Sequence, residues 1–351
     1  MRTVTFKSVR DSAARLLGLD PDKDLNSTRF SALTEYINLR VAEAYSFCWW
    51  PEWTLIEQRQ YRASWSATTY TAGTATVPVE VFYVPAQAYY QCIKNAGGTN
   101  LPATLVSGEY VVNAAYWAEC AGSYDGDDWA ALTAYVAGDQ VRNPSDNRFY
   151  QCHTAETSGA TWSATNWGIL TDFEKSIAWE QTGQAAIGQV RAAYARNPKA
   201  FPATPWEYQF APNDDGILLE TAAPAVVWLE FRKPAPEFTG TAWSGTKATY
   251  ALNELVYLSS SGQCYKALVA GASNTNKNPA SETTYWEVVS FPAAIAGFVK
   301  RAACADCLRD SKQTSRAQME ENRAYTELYE ASDRMLSQMG QYEVATVVHN
   351  W

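Results

Sequence analysis

Hydrophobic residues recur at helical spacing through the first part of the chain, residues 1–62. Those between residues 27 and 50 fall on one side of a helix. They are Phe30, Leu33, Ile37, Val41, Ala44, Tyr45 and Cys48. Ser27 or Thr28 is suited to cap this helix, and Pro51 stops it. Since a shorter helix is predicted over residues 9–19, this part of the chain is expected to form a helical hairpin.

The end of the chain, residues 290–340, shows the same periodicity in two segments. Pro292 suits the first turn of a helix, because its missing amide hydrogen is not needed there. The apolar side of this helix comprises Ile295, Phe298, Val299, Ala302, Ala303 and Leu308. A second helix is predicted over residues 315–339, with Gly340 as its C-terminal stop, so the two form a helical hairpin. Its apolar positions are Met319, Tyr325, Leu328, Tyr329, Met335, Leu336 and Met339.

Between these ends, residues 171–238 mix helical and strand patterns. A short helix is predicted near residues 185–196, and strands are predicted over residues 206–210, 216–221 and 225–232. A tight hairpin turn between the first two strands is indicated by Asn213, Asp214, Asp215 and Gly216. This segment therefore predicts a small β-sheet element.

A third pattern interrupts the chain three times and consists of aromatic residues at recurring places. Each copy begins at a Trp, continues through a Tyr, a turn, a Val and a second Tyr, and closes at a Trp. The landmarks are Trp65, Tyr70, Gly73, Val77, Tyr89, Tyr90, Cys92, Tyr116 and Trp117 in the first copy; Trp129, Tyr135, Gly138, Asp139, Val141, Phe149, Tyr150, Cys152, Trp162 and Trp167 in the second; and Trp243, Tyr250, Asn253, Glu254, Val256, Tyr265, Ala267, Tyr285 and Trp286 in the third. We call these copies module 1 (residues 63–122), module 2 (127–170) and module 3 (241–289).

The aromatic content favours short strands within each module. The chain has 14 Trp and 21 Tyr, and wide rings fit half-buried sheet surfaces. Because so short a module buries little surface, its packed rings must form its core. We therefore predict an α+β fold: a helical bundle body with a small β-sheet element, into which three small antiparallel β modules are inserted. The body comprises residues 1–62, 171–238 and 290–340, and residues 341–351 follow as a docking tail.

Charge and segment composition narrow the class of protein. A formal net charge of -9 argues against a surface that wraps nucleic acid, since that requires clustered Lys and Arg. The sequence contains no apolar run of signal-peptide or membrane-spanning length, which predicts a soluble protein made in the cytoplasm. Its seven cysteines are odd in number and scattered, so reduced, buried thiols are expected rather than a disulfide framework.

Candidate catalytic and metal-binding residues are few. His153 stands beside Cys152, but adjacent side chains in a strand point to opposite faces, so a Cys-His pair is not expected. Cys304 and Cys307 share a helix face, but a zinc site needs two further ligands, and packing is favoured. The acidic run at residues 125–128 is similar to part of a calcium loop, although a solvated linker is the favoured interpretation. We therefore expect no enzyme, no metal and no cofactor.

A family resemblance is carried by the opening helical pair, by a strand followed by two prolines, and by the long terminal helices. The residues concerned are Leu16, Leu17, Gly18, Leu19, Asp20, Trp49, Trp50, Pro51, Val227, Trp228, Leu229, Glu230, Phe231, Arg232, Pro234 and Pro236. In this arrangement the chain resembles the head-to-tail adaptor (connector) proteins of tailed bacteriophages.

The resemblance implies a structural role in the virion. Members of this family form a homo-oligomeric ring, expected to be a dodecamer, between the portal protein and a downstream tail or nozzle protein. DNA passes through the lumen without sequence-specific contact, and an acidic wall would not retain it during genome ejection. The chain would be made in the host cytoplasm and reside at the head-to-tail interface of the virion. The C-terminal segment of such adaptors reaches toward the portal, which implies portal docking by Val344, Val347, Val348 and Trp351.

The modules in turn resemble the small chitin-binding modules of chitinases, and module 2 matches that pattern best. Module 3 replaces the Gly-Asp pair with Asn253 and Glu254, and module 1 lacks the acid. The likeness implies a glycan partner, because apolar sugar faces stack on aromatic rings. The platform would be formed by Trp129, Tyr135, Trp162 and Trp167. The alternative function is therefore a carbohydrate-binding protein that attaches to a glycan through repeated aromatic modules.

Overall fold

The chain divides into two compact units in a computed structural model. The structure describes residues 3–181, 184–200, 206–271 and 275–338. Unit one combines Met1–Leu55 with Arg232–Trp351, and unit two is Ile56–Phe231. Within the described ranges, no helix is both long and apolar enough to cross a membrane.

Unit one is built around helices from both ends of the chain. In the part that the structure describes, these are α1, Phe6–Leu16; α2, Ser27–Phe47; α3, Ala296–Asp310; and α4, Thr314–Gln338. α3 contacts each of the other three. The predicted α+β fold is confirmed, with the N-terminal and C-terminal helices packed together and many small antiparallel sheets elsewhere in the chain.

The helix starts differ slightly from the sequence prediction. The cap of α2 is Asn26, not Ser27 or Thr28, and its side-chain oxygen accepts a hydrogen bond from the Arg29 amide at 2.9 Å. Asn, Ser and Thr all favour this position, so composition alone does not distinguish them. α1 begins at Phe6, ahead of the predicted start, and ends at Leu16. Gly18 then turns the chain at a φ of 80°, a conformation that favours glycine.

Two short strands pair the beginning of the chain with the segment that precedes α3. Thr3–Thr5 pairs antiparallel with Ser290–Pro292, with Val4 opposite Phe291. Pro292 ends the second strand and is the N-terminal cap of a 3₁₀ turn, Ala293–Ile295, which leads into α3. It therefore stands just before the first helical turn and not within it. Proline tolerates either position, since neither requires its amide hydrogen.

The helical core contains most of the positions that the periodicity selects. Its α2 and α3 members include Leu33, Ile37, Val41, Ala44, Phe298, Val299, Ala302 and Ala303. In α4 the prediction is only partly right, because Met319, Tyr329 and Leu336 are exposed while Ala324 and Ala331 are buried. Small residues let two helices approach closely, so the larger side chains of α4 are left on its outer side.

A buried ionic network links α2, α3 and α4. Arg40 donates two hydrogen bonds of 2.7 Å to Asp306 and another of 2.7 Å to Glu43. Arg309 donates to Asp306 at 2.8 Å and also to Glu321. Hydrogen bonding to Asp306 raises the pKa of the Arg40 guanidinium above its ordinary value. Because Arg40 and Asp306 are both buried, each charge depends on the other for compensation.

Two three-stranded sheets form the middle of the chain. In the first sheet the central strand, Val226–Arg232, lies between Gln189–Tyr194 and Thr54–Gln60. In the second sheet the central strand, Gly216–Leu219, lies between Ser176–Ala178 and Phe210–Pro212. In the first sheet, Val227, Leu229 and Phe231 alternate as buried residues along the central strand. In the second, the amide of Asn213 donates to the Gly216 carbonyl at 2.8 Å, which confirms the predicted hairpin turn.

The helix predicted near residues 185–196 is wrong. Gln189–Tyr194 is a strand beside Val226–Arg232. Its alanines favour a helix, but the sheet buries Ala192, Ala193 and Tyr194, and tertiary packing outweighs intrinsic propensity. The strand predicted over residues 206–210 begins only at Phe210.

The two compact units divide the predicted segments between them. Most of residues 171–238 belong to unit two with modules 1 and 2, and their membership of one adaptor body with the helices stays a prediction. Module 3 belongs to unit one with the helices. Within unit two, Tyr89 of module 1 stacks on Phe173 at 4.8 Å, and its hydroxyl donates to the Ala225 carbonyl at 2.6 Å. Aromatic packing therefore attaches module 1 to the middle of the chain.

Candidate functional site

Each module contains a three-stranded antiparallel sheet with a shared register. The strands are Glu80–Tyr83, Ala88–Cys92 and Trp117–Glu119 in module 1; Gln140–Asn143, Arg148–Cys152 and Trp167–Ile169 in module 2; and Leu255–Leu258, Gln263–Ala267 and Trp286–Val288 in module 3. Shorter pairs accompany them, Ala103–Val106 with Glu109–Val112 in module 1 and Ala134–Tyr135 with Glu156–Thr157 in module 2. The central Tyr of each sheet lies opposite a Val, in the pairs Tyr90–Val81, Tyr150–Val141 and Tyr265–Val256. The sequence assignment of Val77 as the repeat's Val in module 1 is therefore wrong, because Val77 is exposed and Val81 occupies the equivalent place.

The first Tyr of each module fastens the entry of the chain to the closing Trp. The hydroxyls of Tyr70, Tyr135 and Tyr250 each accept a hydrogen bond of 2.9 Å from a backbone amide next to the opening Trp. Each ring also meets the closing Trp edge to face, at 5.3 Å in module 1 and 5.0 Å in modules 2 and 3. The recurring aromatic residues are thus the framework of the module.

The four residues predicted as a glycan platform pack as a cluster. Tyr135 and Trp167 are only 9% and 4% exposed, so their faces are turned into module 2. Trp129 meets Trp162 edge to face at 5.7 Å, and Trp162 lies 5.4 Å from Trp167. The Trp167 indole donates to Glu156 at 2.7 Å. Tyr135 and Trp167 therefore leave little ring surface for a ligand, while Trp129 and Trp162 are half-buried, and glycan stacking by the four residues stays a prediction.

The acid of the repeat caps a turn. Asp139 accepts a hydrogen bond from the Val136 amide at 2.7 Å, and Glu254 accepts one from the Ala251 amide at 2.9 Å. In module 1, which lacks the acid, the Thr74 hydroxyl instead accepts from the Val77 amide, three residues later in the chain, at 3.1 Å. The acids of modules 2 and 3 therefore cap the turn that precedes them, whereas Thr74 caps the loop that follows it.

Modules 1 and 2 pack together through buried glutamines at equivalent positions. Gln91 donates to the Ile169 carbonyl at 3.0 Å and accepts from the Thr171 amide at 3.1 Å. Gln151 donates to the Trp117 carbonyl at 3.1 Å. Each glutamine thus reaches the closing strand of the other module, which makes the contact reciprocal.

A close backbone approach accompanies this contact. A Cβ at Gly168 would lie 2.4 Å from the Cβ of Ile93, so a side chain cannot be placed there without movement. Ala118, at the equivalent position of module 1, is completely buried. Module 3 has the exposed Glu287 at this position, opposite Lys266. Small residues after the closing Trp therefore distinguish the paired modules from module 3, and this difference is visible in the sequence once the three copies are aligned on that Trp.

Module 3 packs instead on the helices of unit one. The Tyr257 ring lies 4.8 Å from Phe30, and its hydroxyl accepts a hydrogen bond from Arg10 at 2.7 Å. Phe6 in turn stacks on Phe238 at 4.9 Å. Cys264 is buried in the same core. Tyr257 thus anchors module 3 to the beginning of the chain.

An open cavity of about 330 Å³ lies on module 3. Its lining includes Leu268, Pro279, Ala280, Trp286, Glu287 and Val288. Trp286 is buried, whereas Leu268 and Val288 are exposed. The cavity is therefore a mostly apolar depression on the surface of the module, with one carboxylate in its lining.

The side chains of Cys152 and His153 contact different atoms of Thr154. The buried Cys152 thiol donates to its carbonyl at 3.2 Å, while His153 Nδ1 lies 3.0 Å from its hydroxyl. Burial raises the pKa of the Cys152 thiol, which keeps it protonated. This geometry serves local packing and does not activate the sulfur.

Lowering the pH is expected to destabilise module 2 through His153. Burial, followed by the positive charge of Lys94, lowers the pKa of His153. Such a histidine stabilises the fold above its unfolded pKa of about 6.5, and this contribution is lost as the pH falls through the folded pKa. Urea unfolding should therefore show a larger loss between about pH 7 and pH 5 in wild type than in His153→Gln. Equal losses in the two proteins would contradict this assignment.

The other candidate ligands occupy packed or ion-paired positions. Cys304 is buried against Leu308 and Ala317, and burial raises the pKa of its thiol to about 11. Burial raises the pKa of Cys307 to about 12. Asp128 of the acidic run accepts a hydrogen bond from Arg142 at 2.7 Å. Among the described residues, no group of three or more His, Cys, Asp or Glu is arranged to hold a metal ion.

The predicted portal-docking residues lie outside the described residues. They are Val344, Val347, Val348 and Trp351. Met339 and Gly340, the predicted end of the last helix, are outside as well.

In comparisons with known proteins, no family model, no curated protein and no solved structure matches this chain.

Proposed function

We propose that this chain is a structural head-to-tail adaptor of a tailed bacteriophage. It forms a homo-oligomeric ring between the portal protein and a downstream tail or nozzle protein, with DNA passing through the centre. The observation that carries the proposal is the meeting of the chain's two ends in one helical core, where Phe6 and Leu33 pack in the same cluster as Phe298 and Leu328. A body closed in this way holds its shape while the chain between its ends carries additional modules.

Exposed apolar side chains on this helical body support assembly. They are Leu39 and Phe47 on α2 and Met319, Tyr329 and Leu336 on α4. Phe47 and Tyr329 meet edge to face at 5.3 Å, so part of the set is continuous. Extended apolar surface is typical of association sites, and a neighbouring subunit in a ring would cover it.

The charge of the chain agrees with a passive channel. The formal net charge is -9, the sign that repels a phosphate backbone. A wall rich in Lys and Arg would bind DNA by releasing its counterions and would slow DNA movement. An acidic ring therefore lets DNA pass.

The proposal is tested by assembly of the full chain with its portal. The chain is mixed with the portal protein of the same phage, and the mixture is separated by size-exclusion chromatography and imaged by negative stain. We expect a closed ring of this chain seated on the portal. If the chain remains a monomer and does not elute with the portal at any concentration, the adaptor function is refuted.

Portal docking by the tail has its own test. A chain ended after Gln338 lacks Val344, Val347, Val348 and Trp351. We expect this variant to lose portal binding while its self-association is unchanged, because the exposed helix residues remain. Undiminished portal binding would remove the tail from the docking site.

Carbohydrate binding is the second candidate, and the half-buried Trp129 and Trp162 are the observation that favours it. The exposed part of each ring offers apolar surface to a sugar. Retention on chitin that is lost in a Trp129→Ala variant, with normal folding, would favour this function. Passage through chitin without retardation would exclude it for this polymer.

A further inference from the structure

Module 1 carries a hairpin with no counterpart in module 2. It consists of Ala103–Val106 and Glu109–Val112, joined by Ser107 and Gly108 at φ values of 51° and 94°. In module 2 the residues between the central and closing strands form a short strand, Glu156–Thr157, and a single 3₁₀ turn. The hairpin is therefore an addition that the module fold does not require.

Large apolar side chains cover both faces of this hairpin. Leu105 and Tyr110 lie opposite each other on one face and are 56% and 40% exposed. Val106 and Val111 lie on the other face and are 51% and 53% exposed. An isolated two-stranded hairpin is marginally stable, and its exposed apolar residues favour association. The base is secured, because Ala103 belongs to the core of module 1.

The cavity on module 3 offers an apolar receptor. Leu268, Pro279, Ala280 and Val288 line an opening of about 330 Å³. The volume admits side chains from the tip of a hairpin but not a folded domain. Most of its lining matches the apolar character of Leu105 and the two valines, and Glu287 lines it as well.

Modules 1 and 2 show how the equivalent place is filled within one chain. Ile93, the counterpart of Leu268, is buried against Gly168 of the other module. Glu287 replaces that glycine in module 3, so a second module cannot approach in the same way. A narrower element, such as a hairpin, is needed to cover Leu268.

Each surface carries a charged side chain that bears on the contact. Glu109 stands exposed at the tip of the hairpin, beside the turn. Lys266 follows the lining residue Tyr265 in sequence, and its ammonium lies 3.9 Å from Glu287, the one carboxylate of the lining. A hairpin entering the cavity can bring the Glu109 carboxylate to this ammonium, which sets the orientation of the contact.

From these observations we infer that the hairpin is an assembly arm, whose apolar tip inserts into the module 3 cavity of a second copy of this chain. The two surfaces differ, so the contact is heterologous and can repeat from subunit to subunit until a ring closes. The inference deepens the proposed function and rests on its ring, for which it supplies one of the subunit contacts.

Three variants test the arm. Leu105→Asp combined with Val111→Asp places charge on both hairpin faces, and Ala280→Arg obstructs the cavity. Val136→Asp is the matched control, because Val136 is 61% exposed, lies in module 2, and belongs neither to the hairpin nor to the cavity lining. All the substituted residues are exposed, and circular dichroism verifies that each variant is folded. We expect the arm and cavity variants to lose ring assembly and the control to retain it.

Mixing the two defective variants gives the decisive result. The arm variant keeps an intact cavity, and the cavity variant keeps an intact arm, so one productive contact remains between them. Analytical ultracentrifugation should show a monomer for each variant alone and a dimer, but no larger ring, for the equimolar mixture.

Three outcomes would overturn the inference. If both variants assemble as wild type does, the ring stands and the arm is not one of its contacts. If wild type itself never self-associates, with or without the portal, both the arm and the ring fail. A mixture that stays monomeric would also reject the heterologous pairing of these two surfaces.

Discussion

Replacing Trp167 by alanine is expected to lower the free energy of unfolding by about 3–5 kcal/mol. Its indole lies 5.0 Å from Tyr135 and 5.4 Å from Trp162, and it donates to Glu156 at 2.7 Å. Alanine removes these contacts, leaves a cavity in a core that has few other members, and deprives the Glu156 carboxylate of this donor. Module 2 should therefore unfold at a lower urea concentration, as measured by circular dichroism.

Trp206→Ala is the matched control for this loss. Trp206 is 73% exposed, so its replacement should change stability by no more than about 0.5 kcal/mol. A similarly small effect at Trp167 would contradict its role in the core. A folded Trp167→Ala protein that had lost retention on chitin would return this residue to a glycan site.

The second large effect is expected at Asp306. Asp306→Ala removes the acceptor of two 2.7 Å hydrogen bonds from Arg40 and one of 2.8 Å from Arg309. It leaves a buried guanidinium partly uncompensated, which typically costs about 3–5 kcal/mol. Because Arg40 keeps its 2.7 Å hydrogen bond to Glu43, we expect a loss near the lower end. Thermal and urea unfolding of the full chain would measure it.

Two further variants separate the buried pair from a general effect of charge. Asp333→Ala removes an exposed carboxylate of α4 and should have little effect. The double variant Arg40→Met with Asp306→Leu removes both charges, so the Arg40 guanidinium is not left without its partner. Its loss of unfolding free energy should be smaller than the sum of the losses in Arg40→Met alone and Asp306→Leu alone. Additive losses would show that Arg40 and Asp306 act independently.

Local patterns predicted the helices well and their ends less well. The spacing of Leu33, Ile37 and Val41 placed the buried side of α2 correctly, because helical periodicity is a property of neighbouring residues. The sequence predicts Ser27 or Thr28 as the cap of α2, whereas the cap is Asn26. Asn, Ser and Thr side chains all suit this position, so residue type alone does not choose among the three. In α4, apolar character suggested a core position for Tyr329, yet only the contact with α3 determines which side is covered.

Repetition predicted the modules but not their partners. The recurring Trp and Tyr indicated three small β units, and the closing Trp is buried in each. The repeat could not show that Tyr135 and Trp167 turn inward, since a sugar platform and an aromatic core use the same residue types. Gly168 and Glu287 differ in a way that matters only when the backbone of another module approaches.

By itself, the sequence determined an α+β chain with helices at both ends and three aromatic modules between them. Hydrophobic periodicity and repeated motifs can be read along the chain, so they do not depend on which segments come into contact. The tertiary structure alone decided that residues 189–194 form a strand, that modules 1 and 2 share unit two, and that module 3 packs on the helices through Tyr257. These outcomes depend on burial between residues far apart in the chain, and such packing outweighs local propensity.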